Sequence, residues 1–139
     1  MKGYLGSVLT ALVLFFAPIK GIILIVALST IIDTRFGVWK AVKLGEDVTS
    51  KIFRKGLLSK LLTYVSATML IFASDVFIIN ELTKSVVSVE FISTKVLSLV
   101  LVAIEVKSMD ESFIKVKGYS FIDKAKSIIV KIKDIKKEL

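Results

Sequence analysis

DTRFGVWKAVKLGEDVTSKIFRKGLLSK, residues 33–60, is the longest polar interval in a chain that is otherwise strongly apolar as far as Val106. Seven cations (Arg35, Lys40, Lys43, Lys51, Arg54, Lys55, Lys60) stand there against three acids (Asp33, Glu46, Asp47). Moving Lys and Arg across a bilayer is costly, so a basic interval between two membrane-inserted blocks stays on the cytoplasmic side. This predicts an all-α, polytopic helical membrane protein with a cytoplasmic basic loop over residues 40–56.

The composition agrees. Of 139 residues 55% are hydrophobic, and the mean hydropathy is +0.80, more apolar surface than one small soluble core can hide. A soluble helical protein buried on all sides is the alternative. The net charge of +8 comes from cations in segments beside the apolar runs, where topology and anionic headgroups account for them, so no nucleic-acid partner is expected. The chain has no cysteine and no histidine, which excludes disulfides, thiol nucleophiles, Cys or His metal sites and His-based acid–base chemistry. No phosphate loop, carboxylate dyad or nucleophile motif occurs, so neither an enzyme nor a cofactor is expected.

Working outward, the apolar runs predict four spans, over residues 4–19, 21–39, 57–80 and 86–106, which make a transmembrane domain of residues 1–106. The first run follows Lys2 but no small-x-small cleavage site follows it, so it is not read as a signal peptide. Pro18 with Lys20-Gly21 interrupts the pattern. A tight hairpin with Lys20 at the outer face is expected there, because a charge in mid-span is costly; one long kinked element is the other arrangement. Asn80-Glu81-Leu82-Thr83-Lys84 predicts a short outer turn. Four spans place both termini in the cytoplasm.

Residues 107–139 are predicted to be a cytoplasmic amphipathic tail, with nine lysines against five acids. Phe121, Ala125, Ile128, Ile132, Ile135 and Leu139 recur at spacings of four and three, widened by Ile122 and Ile129, while Lys124, Lys126, Lys131, Lys133 and Lys137 lie largely off that stripe. Two readings stand side by side: the helix lies on the anionic inner leaflet, or its seam packs against copies of itself.

Ionisable groups within spans usually face protein or water. Asp33 and Glu105 are expected at the cytoplasmic boundary and Glu90 at the outer one. Asp75 and Lys95 fall deeper, Lys95 near the middle of its run, and both are candidates for lining a pore or pairing across the hairpin.

Several stretches are similar to one family. Ala17-Pro18-Ile19-Lys20, Ile32-Asp33-Thr34 and the pattern Asp33-x3-Gly37-x2-Lys40-Ala41-x-Lys43-x-Gly45-Glu46 begin the likeness. Thr49-Ser50-Lys51, Lys60, Tyr64, Asp75, Ile104 to Glu111 and Gly118 extend it over nearly the whole chain. The chain resembles the phage holins grouped with toxin-secretion holins, most closely the branch met in Bacteroidetes and their phages. The resemblance implies a protein that accumulates in the bacterial cytoplasmic membrane, forms homo-oligomers and opens lesions through which a cell-wall hydrolase escapes. It also implies that Asp33, Gly37, Lys40, Lys43, Gly45 and Glu46 form a shared turn-and-loop element, with Gly45 at a tight bend. The alternative is a structural scaffold or small channel subunit that anchors a larger assembly, with a protein partner at the tail.

Overall fold

The computed structural model describes residues 2–83 and 88–138, with side chains over 4–49, 53–83 and 88–135. Lys84, Val86, Val87 and Leu139, named above in the outer turn, the fourth span and the tail seam, lie outside the described residues. Every element of the described chain is helical: α1 (Lys2–Phe16), a 3-10 turn (Ala17–Ile19), α2 (Lys20–Leu44), α3 (Ser50–Ser74), a π turn (Asp75–Ile79), the short α4 (Asn80–Thr83), α5 (Ile92–Lys117) and α6 (Phe121–Glu138).

The tight hairpin expected at Pro18 does not form; the kinked alternative does. Phe16 (φ −88, ψ −1), Ile19 (φ −103, ψ 10) and Lys20 (φ −53, ψ −40) all stay near helical angles, so the chain does not reverse. Pro18 sits in the first turn of the 3-10 segment, where a missing N–H costs least. Tyr4–Leu44 is therefore one run of 41 helical residues. α1 reaches the rest of the fold through its last turn, where Phe15 and Phe16 meet Phe72 (ring centroids 5.4 and 5.8 Å) and Phe15 stacks on Phe77.

α2, α3 and α5 form a bundle. Lys60 of α3 meets Asp33 of α2, and Phe72 meets Phe16, so α3 runs antiparallel to α2. Trp39 of α2 stacks on Phe113 of α5 at 5.9 Å, and Ile22 and Ile25 share a groove with Lys95 and Ser98, so α5 runs parallel to α2. All three helices are offset by three- and four-residue steps that turn one narrow face inward.

Two glycines end helices. Gly45 (φ +71) closes α2: its N–H donates to the Val42 carbonyl and the Glu46 N–H to that of Ala41, the paired bonds of a Schellman cap. Gly118 (φ +78) ends α5, with its N–H on the Ile114 carbonyl. α5 thus runs unbroken through the expected boundary at residues 106 and 107, and of the basic loop at 40–56 only residues 45–49 leave the helices.

The distribution of polarity is reversed from that of a soluble domain. Among the described residues the most buried are ten polar ones, from Ser29, Thr30 and Asp33 through Thr68 and Asp75 to Thr94 and Glu105, against five apolar ones. Leu5, Val13, Leu14, Leu62, Leu70 and Leu99 point outward. Soluble proteins bury the second class and expose the first.

Candidate functional site

The inward face of each bundle helix carries hydroxyls around one ionisable group. On α2, Ser29 and Thr30 both donate to the Val26 carbonyl (2.8 and 3.0 Å), which satisfies their hydroxyls within the helix and leaves Asp33 one turn further on. On α3, Lys60, Tyr64, Thr68 and Phe72 stand at successive four-residue steps. On α5, Thr94, Ser98, Leu101, Glu105 and Met109 follow steps of four and three.

Where these faces meet, one ammonium answers two carboxylates. Lys60 Nζ donates to Asp33 Oδ2 at 2.8 Å and to Glu105 at 3.1 Å (Oε2) and 3.3 Å (Oε1). Ser108 stands beside Asp33 and Tyr64 beside Glu105. The Glu105 side chain is wholly buried, whereas that of Lys60 is 40% exposed. Its open side faces a cleft of about 360 Å³ between α2 and α3, lined among others by Gly37, Ala41, Phe53 and Gly56 and bordered by Glu46 and Asp47. The network is therefore shut toward α5 and open toward the α2–α3 turn. Charges this deep persist only when paired and hydrogen-bonded.

Asp33 and Glu105, expected at the cytoplasmic boundary of the membrane, both sit in the middle of their helices. The apolar run 86–106 put Glu105 at an edge, but α5 occupies Ile92–Lys117 and centres on it. Lys60 was counted with the loop cations. The signal that finds it is the four-residue repeat Lys60-Tyr64-Thr68, which sets all three on one face.

A second polar cluster starts α5. Asp75 Oδ2 accepts both the backbone N–H and the hydroxyl of Thr94, each at 2.7 Å, and Asn80 Oδ1 accepts the Phe91 N–H at 3.3 Å. A carboxylate on the free N–H groups of a helix start is favourable. The π turn at Asp75–Ile79 adds a residue per turn just where Asp75 must point inward. Of the two roles expected for Asp75 and Lys95, their pairing is not seen among the described residues: Thr94 takes Asp75, and Lys95, three residues into α5, is exposed beside Ile22 and Ile25. Lys95 thus lies near the start of its helix.

The six motif residues do not form one loop. Asp33 is in the ion network, Gly37 lines the cleft within α2, Lys40 is half-buried and Lys43 exposed on the last turns of α2, and Gly45 and Glu46 make the turn.

At the other end, the tail is held at its root. Asp110 accepts the Ser120 hydroxyl (2.7 Å) on Oδ2 and the Phe121 N–H (2.8 Å) on Oδ1, and Phe113 packs edge-on to Tyr119 and Phe121. From residue 123 to 135 the helix is exposed, with Ala125, Ile128, Ile132 and Ile135 of the expected seam all facing outward.

No family model matches the chain, and no curated protein or solved structure matches it. Two helical runs, Tyr4–Leu44 and Phe53–Thr83, are long and apolar enough to cross a membrane.

Proposed function

We propose that the chain is a holin-like, non-enzymatic protein of the bacterial cytoplasmic membrane, which assembles with copies of itself and opens lesions that release a cell-wall hydrolase. The observation that carries this reading is the reversed bundle: hydroxyls and carboxylates inside, two of them bonded to Lys60, and Leu, Val and Ile outside. Lipid is the solvent that rewards the outer surface. The inner surface is one that water can enter once helices separate. In the closed bundle Lys60 ties α2, α3 and α5 together through Asp33 and Glu105. In an assembly of several copies the same faces, turned toward a shared centre, would line a hydrated opening.

α1 supports assembly. Its residues from Tyr4 to Leu14 are exposed, and Phe15 and Phe16 in its last turn pack on Phe72 of the bundle. The run Tyr4–Leu44 would rise about 61 Å if straight, twice the ~30 Å hydrocarbon core. One crossing therefore takes only part of the run, and in the kinked arrangement the part before the Pro18 turn lies along the membrane interface. There α1 offers a whole helical surface to neighbouring copies.

The scaffold reading has one observation of its own: α6 is held out from the bundle on a hydrogen-bonded root, as a docking arm would be. Induced expression in a bacterial host separates the two, with membrane potential followed with and without a co-expressed peptidoglycan hydrolase. The expected result is abrupt depolarisation, with lysis only when the hydrolase is present. Stable growth at high expression with the potential intact would leave the scaffold reading.

A further inference from the structure

We propose that α6 is a charge-selective anchor whose apolar face lies on the anionic lipid of the cytoplasmic leaflet, and is not a self-association helix. The inference rests on reading the bundle as membrane-inserted. Ile128, Ile132 and Ile135 make an apolar stripe that is more than half exposed. What decides its occupant is where the charges stand around that stripe.

Helical residues turn by about 100° each, so positions seven apart share an edge. Lys124 and Lys131 fall on one border of the stripe and Lys126 and Lys133 on the other. Asp123 and Asp134, eleven apart, fall on the face opposite the isoleucines. Cations therefore flank the apolar face on both sides, and the acids point away from it. At a lipid surface this lets four ammonium groups reach anionic headgroups while the isoleucines enter the acyl boundary and the carboxylates stay in water. Packed against a second α6, either parallel or antiparallel, the same borders would set lysine against lysine, which a coiled-coil seam avoids by opposing charges there.

The root of the helix fits the same placement. Trp39, Phe113, Tyr119 and Phe121 form one aromatic cluster where α5 ends, and Lys124 lies over the Tyr119 ring at 5.3 Å. Aromatic rings of this kind gather at headgroup depth. The root also stands at the same end of the bundle as the lysine-bearing last turns of α2. The exposed Lys126–Asp123 contact at 3.5 Å is a surface pair that headgroups can replace.

The natural absence of cysteine allows a direct test on the full chain. Ile132→Cys, on the apolar face, and Asp134→Cys, on the opposite face, are labelled with a fluorophore and reconstituted sparsely into two sets of vesicles. One set is phosphatidylcholine alone, the other phosphatidylcholine mixed with phosphatidylglycerol, and each carries a quencher on the acyl chain. The expected result is quenching at 132 but not at 134, only with phosphatidylglycerol, and its loss at high salt. Each lysine changed among Lys124→Gln, Lys126→Gln, Lys131→Gln and Lys133→Gln should lower the ratio of bound to free tail roughly fivefold. Equal quenching in both lipids, no quenching at 132, or label–label contact between copies would overturn the proposal, the last in favour of self-association. No hydrolase or lysis enters the readout, so failure here leaves the lesion-forming reading standing, and a tail that binds lipid says nothing in its favour.

Discussion

Lys60 holds together two carboxylates that would otherwise face each other inside the bundle. Removing one partner of a fully buried ion pair costs ~3–5 kcal/mol, and the partly open Lys60 side chain lowers the figure. Lys60→Met is expected to destabilise the bundle by about 2–3 kcal/mol. Denaturation of the detergent-solubilised protein checks this, and an unchanged midpoint would contradict a structural role for the network. Glu105→Gln should cost less, because it leaves a simple Lys60–Asp33 pair. The glycines give a paired test. Gly45→Ala forces a side chain into a positive φ and should cost about 1 kcal/mol. Gly37→Ala, in a helix interior with nothing within 4 Å of the new methyl, should be neutral or stabilising by up to about 1 kcal/mol. Equal effects at the two positions would mean that the α2 cap does not set the turn.

At the scale of elements, the ends of α5 and the start of α6 depend on side chains from elsewhere in the chain. Asp110→Ala removes the acceptor for the Ser120 hydroxyl and the Phe121 N–H, and should cost α6 about 1 kcal/mol at its first turn. Hydrogen exchange should quicken at residues 121–124 and stay unchanged in α2; protection that persists would mean the aromatic root suffices. These capping contacts also explain why helix ends were poorly legible. Hydropathy marks where lipid or protein contact begins, not where backbone hydrogen bonding stops. α5 therefore lies several residues beyond the apolar run 86–106, since Asp75, Asn80 and Gly118 set its limits. The same displacement puts Lys95 in the first turn of α5 and Glu105 at its centre. The break at Pro18 was legible, but its form was not, because proline disfavours a straight helix without specifying a reversal. The Gly45 turn and the amphipathic stripe of α6 were readable directly, each being written in residues adjacent in sequence.

For the whole molecule, the reversed polarity joins these parts. An all-helical chain with runs long and apolar enough to cross a membrane was legible around the basic interval 33–60, whereas the ion network was not, since it draws on three helices whose register only packing defines. The central claim is that the inward faces of the bundle become the wall of a hydrated opening. Single cysteines in this cysteine-free chain test it most directly, with Ser98→Cys and Ser112→Cys on the inward face of α5 and Leu99→Cys on the outward face. Their reaction with a membrane-impermeant thiol reagent is followed in cells before and after depolarisation. The account predicts that the two inward positions become reactive as the potential collapses, while position 99 stays protected. Inward positions that stay unreactive through depolarisation, or a reactive position 99 beside them, would contradict it.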